Sequence, residues 1–240
     1  MQFVTLPNLP SGKVIVAVSG VSIEGVKTIV PPPVACLPPA MQQHADLQIC
    51  HLWEKVLVSA PEVHAYYKEK LSPFGFEILC GETYIGSTYP KDAAYNIARV
   101  GNVAFLNPKT ADPTVVRLLS NRGIRIISVR QGYTKCSILP VGEDALITAD
   151  KGIASAAKLI GFSVQEIEPG GVKLDGFSYG FLGGATGKID DKTIYVNGSL
   201  QSHPSAKEIF AFLQKRGIIL KERSIPIPID VGSVLPLLIE

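Results

Sequence analysis

The stretch His44-Ala45-Asp46-Leu47-Gln48-Ile49-Cys50 begins the clearest copy of a unit that recurs along the chain. Its polar and apolar residues alternate, which predicts a strand with His44, Asp46 and Gln48 on one face. The predicted second strand, helix and third strand of the unit follow at residues 54–58, 63–71 and 75–79. A strand that combines an imidazole, a carboxylate and an amide is the first place to look for function.

The same order of elements returns three more times, in copies that begin near residues 96, 133 and 180. The helices predicted in these copies begin at Asp112-Pro113 and extend over about 152–159 and 205–215. Aspartate followed by proline is typical of a helix start. A glycine comes before the closing strand of each copy, at Gly75, Gly123, Gly161 and Gly217. Such self-similarity indicates a structural repeat with loops of variable length.

The two chain ends supply a fifth copy, divided between them. Residues 13–17 and 25–30 provide two strands but no motif-bearing first strand, whereas residues 227–235 are a first strand with nothing after it. Pairing the last strand with the first unit would close a ring of five units and remove the free sheet edges. The sequence therefore predicts a closed α/β ring of pseudo-fivefold ββαβ repeats, forming one domain over residues 1–240.

Composition excludes several other classes of protein. Hydrophobic residues make up 46% of the chain and charged residues 18%, which excludes a disordered protein. A formal net charge of +2, without a cluster of basic residues and aromatics, argues against a nucleic-acid partner. We expect a cytoplasmic protein, since no apolar run reaches membrane length and no signal peptide is recognisable. Four cysteines without a CxxC pair predict reduced thiols and no metal site.

In a ring of five such units, the first strand of every unit lines the central axis, so side chains distant in sequence meet there. The candidates for this meeting point are His44, Asp46, Gln48, Arg99, Lys135, Cys136, Ser137, residues 183–186, Asp230 and Ser233. A thiolate can attack a planar cationic carbon while an imidazole protonates the leaving nitrogen. Carboxylates bind a guanidinium through charge-assisted hydrogen bonds. Lys135 lies beside Cys136 in sequence and is expected to favour its thiolate form.

His44-Ala45-Asp46, with Cys136 in the corresponding segment two units later, resembles the guanidino-modifying enzyme superfamily, also called penteins. The segments at residues 44–50, 131–137 and 179–187 are also similar to an uncharacterised bacterial family with that fold. The resemblance implies a five-bladed β/α-propeller that works without a metal or an organic cofactor. It implies a hydrolase or transferase acting on a C–N bond of a small guanidino or amidino compound.

On this interpretation, Cys136 is the nucleophile and His44 the acid–base, whereas Asp46, Gln48, Lys135 and Asp230 bind the substrate. The alternative is a non-catalytic protein of the same fold that binds a small molecule, a ribosome or a protein. Three departures favour it: about a hundred residues follow Cys136, the family's acidic Glu-Gly-Gly motif is replaced by Asp230-Val231-Gly232-Ser233, and the chain is short. The glycine-rich segment 183–187 is either an anion-binding loop or a tight bend. The substrate and the oligomeric state stay open.

Overall fold

The computed structural model describes residues 1–240 and contains five separate β-sheets, one with four strands and four with three. The four-stranded sheet is built from both ends of the chain. Its N-terminal strands are β1 (Gln2–Phe3), β2 (Val14–Ser19) and β3 (Lys27–Ile29). Strands β2 and β3 are parallel, and the short connection between them contains no helix.

Four further units follow along the chain. The second contains α1 (Ala45–Gln48), β4 (Ile49–Trp53), β5 (Val56–Ser59), α2 (Pro61–Leu71) and β6 (Glu77–Cys80). The third contains β7 (Ala98–Val100), β8 (Val103–Leu106), α3 (Pro113–Asn121) and β9 (Arg125–Ser128). The fourth contains α4 (Thr134–Ser137), β10 (Ile138–Gly142), β11 (Ala145–Thr148), α5 (Lys151–Leu159) and β12 (Ser163–Glu166). The fifth contains β13 (Thr186–Lys188), β14 (Thr193–Val196), α6 (Ala206–Gln214) and β15 (Ile219–Glu222), and β16 (Val234–Ile239) ends the chain.

Each of these four units has the same strand pairing. The first strand is antiparallel to the second, and the second is parallel to the third. A parallel pair needs a crossover connection, and a helix supplies it in every case. The strand–strand–helix–strand order predicted from the sequence is therefore present. None of the helices is long and apolar enough to cross a membrane.

The C-terminal strand lies between β1 and β2, in the order β1-β16-β2-β3. It pairs antiparallel with both neighbours, and all its residues are buried. The predicted strand at residues 227–235 is wrong in position, because β16 begins only at Val234. Gly232 and Ser233 have φ angles of 75° and 69°, and this left-handed backbone interrupts an extended strand.

Most of the motif segment is not a strand either, which corrects the prediction for His44 to Cys50: only Ile49 and Cys50 lie in a strand, β4. Residues 45–48 and 134–137 each form a single helical turn immediately before the first strand of their unit. Alternating polarity indicates a strand only when one face is exposed to solvent. Every residue from His44 to Leu52 is buried, so the alternation here does not separate an exposed face from a buried one.

The helix boundaries, by contrast, follow the sequence signals closely. Asp112 Oδ1 accepts hydrogen bonds from the backbone N–H groups of Thr114 and Val115, at 2.9 and 3.2 Å. Pro113 occupies the first turn of α3, as predicted. The four glycines that precede the closing strands have φ angles between 63° and 90°. This left-handed conformation after a helix suits glycine, which explains why glycine recurs there.

Candidate active site

The two helical turns α1 and α4 bring Asp46 and Cys136 into contact. The Cys136 thiol lies 3.0 Å from Asp46 Oδ2, in hydrogen-bonding geometry as the donor. Ser233 Oγ donates to the same carboxylate oxygen at 2.5 Å. The side chains of Cys136, Asp46 and Ser233 are all almost completely buried. Three segments that are far apart in sequence therefore meet at one carboxylate.

Asn96, a residue that the sequence reasoning missed, holds the turn that carries Cys136. Its Oδ1 accepts hydrogen bonds from the backbone N–H groups of Lys135 and Cys136, at 2.8 and 3.1 Å. Its Nδ2 lies 2.9 Å from Cys136 Sγ. Thr134 Oγ1 adds a hydrogen bond to the backbone carbonyl of Asn96 at 2.9 Å. A side chain 40 residues away thus caps α4 and contacts its thiol.

His44 and Asp230 form the second half of the site. His44 Nδ1 lies 3.8 Å from Asp230 Oδ1, and both side chains are buried. The Asp230 carboxylate accepts hydrogen bonds from the backbone N–H groups of Phe181 and Gly232, at 2.9 and 3.0 Å. These bonds fix the carboxylate next to the imidazole.

The glycine-rich segment before β13 supplies the space for this arrangement. A Cβ atom on Gly184 would lie within 2.5 Å of three atoms of the Asp230 carboxyl group. One on Gly183 would meet the backbone carbonyl oxygens of Lys135, Cys136 and Ile138 within 2.7 Å. The segment is therefore a tight bend packed against α4 and Asp230, and its glycines allow that close approach.

His44, Cys136 and Asp230 line one cavity of about 330 Å³. The other lining residues are mostly apolar or aromatic, and Leu47 and Leu174 among them also belong to the largest hydrophobic cluster of the protein. Two buried polar atoms of the site, His44 Nε2 and Asp46 Oδ1, have no hydrogen-bond partner. Such atoms are rare in native structures, and a bound ligand is one explanation for them.

The electrostatics of the site favour a protonated thiol. Burial raises the pKa of Cys136 well above its usual value, and the negative charges of Asp46 and Asp230 raise it further. Burial lowers the pKa of Lys135. The expected stabilisation of the thiolate by Lys135 is therefore outweighed. Burial also raises the pKa of Asp230, against the opposing effect of His44.

Three of the four residues expected to bind substrate, Asp46, Gln48 and Lys135, do not line the cavity. Gln48 Nε2 donates to the carbonyl oxygens of Pro32 and Gln42, at 2.8 and 2.9 Å, and its Oε1 accepts from Tyr67 at 3.0 Å. These contacts give Gln48 a structural role in place of the predicted substrate contact. Lys135 is buried outside the set of lining residues. No group of three or more His, Cys, Asp or Glu side chains has the arrangement of a metal site.

Comparison with solved structures identifies the class of fold as that of the guanidino-modifying, or pentein, superfamily. The inosamine-phosphate amidinotransferase StrB1 from Streptomyces griseus matches with a TM-score of 0.59 and 9% identity, over 99% of this chain and 97% of that chain. DDAH from Pseudomonas aeruginosa, complexed with citrulline, matches with a TM-score of 0.53 and 13% identity, over 82% and 74%. The amidinotransferase SxtG from Microseira wollei matches with a TM-score of 0.52 and 11% identity, over 91% and 92%.

Identities this low establish a shared fold and nothing more. No curated protein matches the sequence significantly. Within this class of fold, the chain belongs to the family of unknown function DUF6873, whose profile matches residues 17–235.

Proposed function

We propose that the protein is a cysteine-dependent enzyme that cleaves a C–N bond of a guanidinium or amidinium group. The observation that carries this proposal is the convergence of a thiol, an imidazole and a carboxylate, from three distant segments, on one cavity. The fold supports it, because the solved structures that share this fold include two amidinotransferases and DDAH.

The reaction begins when the Cys136 thiolate forms a C–S bond to the central carbon of the substrate. The tetrahedral adduct collapses, one C–N bond breaks, and the departing amine takes a proton from the His44 imidazolium. An amidino group is left on the sulfur. His44 then accepts a proton from water, the hydroxide attacks the amidino carbon, and the C–S bond breaks. An amine that attacks in place of water gives transfer instead of hydrolysis.

The thiol must first lose its proton, and the contact with Asp46 provides a route. Cys136 already donates to Asp46 Oδ2, so this carboxylate accepts the proton and returns it to the sulfur at the end of the cycle. The negative charges of Asp46 and Asp230 disfavour the thiolate. A cationic substrate bound beside them compensates their charge and lowers the pKa of Cys136. Ionisation of the thiol is thereby coupled to substrate binding.

We also infer that the five sheets surround a common axis, as the blades of a β/α-propeller that forms one domain over residues 1–240. The pairing of β16 with β1 and β2 supports this arrangement, since it joins the two chain ends in one sheet. Removal of residues 234–240 would expose the edges of β1 and β2 and is expected to unfold the protein. A truncated chain that keeps its melting temperature would contradict the closed arrangement.

One observation favours the alternative, a protein of this fold that binds a small molecule without turnover. The raised pKa of Cys136 leaves little thiolate at neutral pH. A purely binding cavity needs no reactive thiol. The two functions differ in one measurable species, the covalent adduct on Cys136.

The test is incubation with a panel of guanidines and amidines, followed by intact-protein mass spectrometry and an assay for released ammonia or amine. We expect an amidino adduct on Cys136 that is absent in Cys136→Ala. Cys50→Ala is the matched control, because Cys50 is equally buried but does not line the cavity. Folded protein that shows saturable binding but neither adduct nor product would establish binding without turnover.

A further inference from the structure

The wall of the cavity differs in chemistry from its polar floor of His44, Cys136 and Asp230. Apart from Ser178, its remaining lining residues are all apolar or aromatic: Met41, Leu47, Tyr133, Leu174, Phe177, Tyr179 and Phe181. No arginine or lysine lines the cavity. A volume of about 330 Å³ lies at the small end of the range for small-molecule sites, roughly 300–1,000 Å³.

Part of the aromatic wall is held in place by its own contacts. The ring of Tyr133 packs against Tyr89 and Phe181, with centroid distances of 5.6 and 6.1 Å. Its hydroxyl donates to Asp92 Oδ2 at 2.7 Å. Such fixed rings offer faces that attract a cation and bury an apolar chain.

Phe177 and Tyr179 form the outer part of the wall. Each is 45% exposed, so both rings leave apolar surface facing solvent beside the cavity. A ligand whose head occupies the floor would cover this surface with its tail. Removal of this apolar surface from water would stabilise the complex.

The charges around the cavity suit a cationic head but not an anionic tail. Asp230 lies on the floor, where a guanidinium or amidinium can bind to it. Lys173 lies on the segment that leads to the outer wall, and it forms an ion pair with Asp175 at 3.0 Å. The other nearby cation, Lys135, is buried outside the lining. A carboxylate or phosphate on the substrate tail would lose its hydration here without gaining a cationic partner.

We propose that the substrate is a guanidine or amidine with a short apolar tail, alkyl or aryl, and not an amino acid or another compound with an anionic tail. Turnover of such a compound rests on the proposed function, but its binding does not. The head occupies the floor beside His44 and Asp230, and the tail lies against Phe177 and Tyr179.

Calorimetry on Cys136→Ser, which cannot form the adduct, tests the binding preference with three ligands of similar length. Pentylguanidine, agmatine and 4-guanidinobutyrate share the guanidinium head, and their tails end in a methyl, an ammonium and a carboxylate group. We expect pentylguanidine to bind about tenfold or more tightly than 4-guanidinobutyrate, because the carboxylate lacks a partner. Calorimetry with the same ligands on wild-type protein, kept on ice, provides a second measurement of the binding preference that does not depend on the Cys136→Ser substitution.

Variants of the outer wall sharpen the test. Phe177→Ser and Tyr179→Ser should each weaken pentylguanidine binding several-fold while leaving methylguanidine, which has no tail to bury, unchanged. Lys173→Ala is the matched control on the same segment and should change neither affinity. Equal or tighter binding of 4-guanidinobutyrate, no effect of the two aromatic substitutions, or no binding of pentylguanidine would overturn the proposal. Binding of pentylguanidine with the expected preference, but without an adduct on wild-type Cys136, would overturn only the catalytic function.

Discussion

Two buried polar clusters lie inside this protein, and they differ in how completely their hydrogen bonds are formed. In the first, the guanidinium of Arg99 donates to the backbone carbonyl oxygens of Leu52, Gly101 and Val103. In the second, the cavity cluster, His44 Nε2 and Asp46 Oδ1 are buried without a partner.

The difference separates a structural cluster from a functional one. A charged group in which every nitrogen donates to a fixed carbonyl group contributes to the stability of one conformation. A cluster that keeps polar atoms unpaired costs stability, and it is retained where a ligand completes its hydrogen bonds. On this argument Arg99 holds the fold together, while Cys136 and its neighbours serve a ligand.

The largest effect should come from removing the nucleophile. Cys136→Ala is expected to lower turnover of a guanidine substrate by about 10³-fold or more, because the covalent route is lost. Cys50→Ala removes an equally buried thiol outside the cavity and should leave turnover per folded molecule unchanged. The measurement is kcat for both variants. Equal losses of turnover in Cys136→Ala and Cys50→Ala would contradict a special role for the cavity cluster.

The converse substitution tests the structural cluster. Arg99→Met removes the guanidinium and leaves three buried carbonyl groups without their donor. We expect a loss of about 3–5 kcal/mol in the free energy of unfolding, measured by urea denaturation. Turnover per folded molecule should stay close to that of the wild type. Unchanged stability would mean that Arg99 does not hold the fold as its contacts indicate.

The third contrast is the effect of low pH on stability, which acts through His51, a histidine close to Arg99. Burial, with a smaller contribution from the charge of Arg99, lowers the pKa of His51 from 6.5 to about 4, against the opposing effect of its hydrogen bond with Glu54. The folded state therefore binds fewer protons than the unfolded state, and stability falls as the pH is lowered from about 6.5 to 4. Protonation of His51 over this range is expected to lower the free energy of unfolding by about 3 kcal/mol.

Denaturation midpoints at several pH values measure this effect. Because His51 Nε2 contacts the carbonyl oxygen of Glu54 at 2.8 Å, His51→Gln can keep a hydrogen bond without a titrating ring. Its stability should vary less with pH between 6.5 and 4 than that of the wild type. The same slope in both proteins would exclude His51 as the cause.

The sequence predicted the repeat more reliably than the site, and the reason lies in the range of the interactions. Asp112-Pro113 and Gly75 act on their own backbone, so local signals located their helices and turns. The motif segment at residues 44–50 was misinterpreted as a strand because its burial comes from packing between units. Asn96 was missed for a similar reason, since its role depends on a contact with α4 that no local pattern encodes.

Among the site residues, the sequence identified the chemical types but not every position. His44, Cys136 and Asp230 line the cavity, whereas Gln48 is committed to backbone carbonyls. His44 and Gln48 are only four positions apart, at the two ends of the helical turn α1. Which of them faces the cavity depends on the three-dimensional path of α1. An alternation pattern cannot provide that path.

The smallest expected effect comes from replacing Asp46, whose carboxylate accepts a hydrogen bond from the Cys136 thiol. Asp46→Asn keeps the shape of the side chain but removes a negative charge that raises the pKa of Cys136. The thiol should then ionise at lower pH, and its alkylation by iodoacetamide should rise at lower pH than in the wild type. Pentylguanidine should bind about tenfold more weakly to Asp46→Asn/Cys136→Ser than to Cys136→Ser, a change of about 1.4 kcal/mol. Asp92→Asn is the control, because Asp92 accepts a hydrogen bond from Tyr133 and has no contact with the thiol. If both aspartate variants shift the alkylation profile equally, the effect comes from general charge and not from the contact between Asp46 and Cys136.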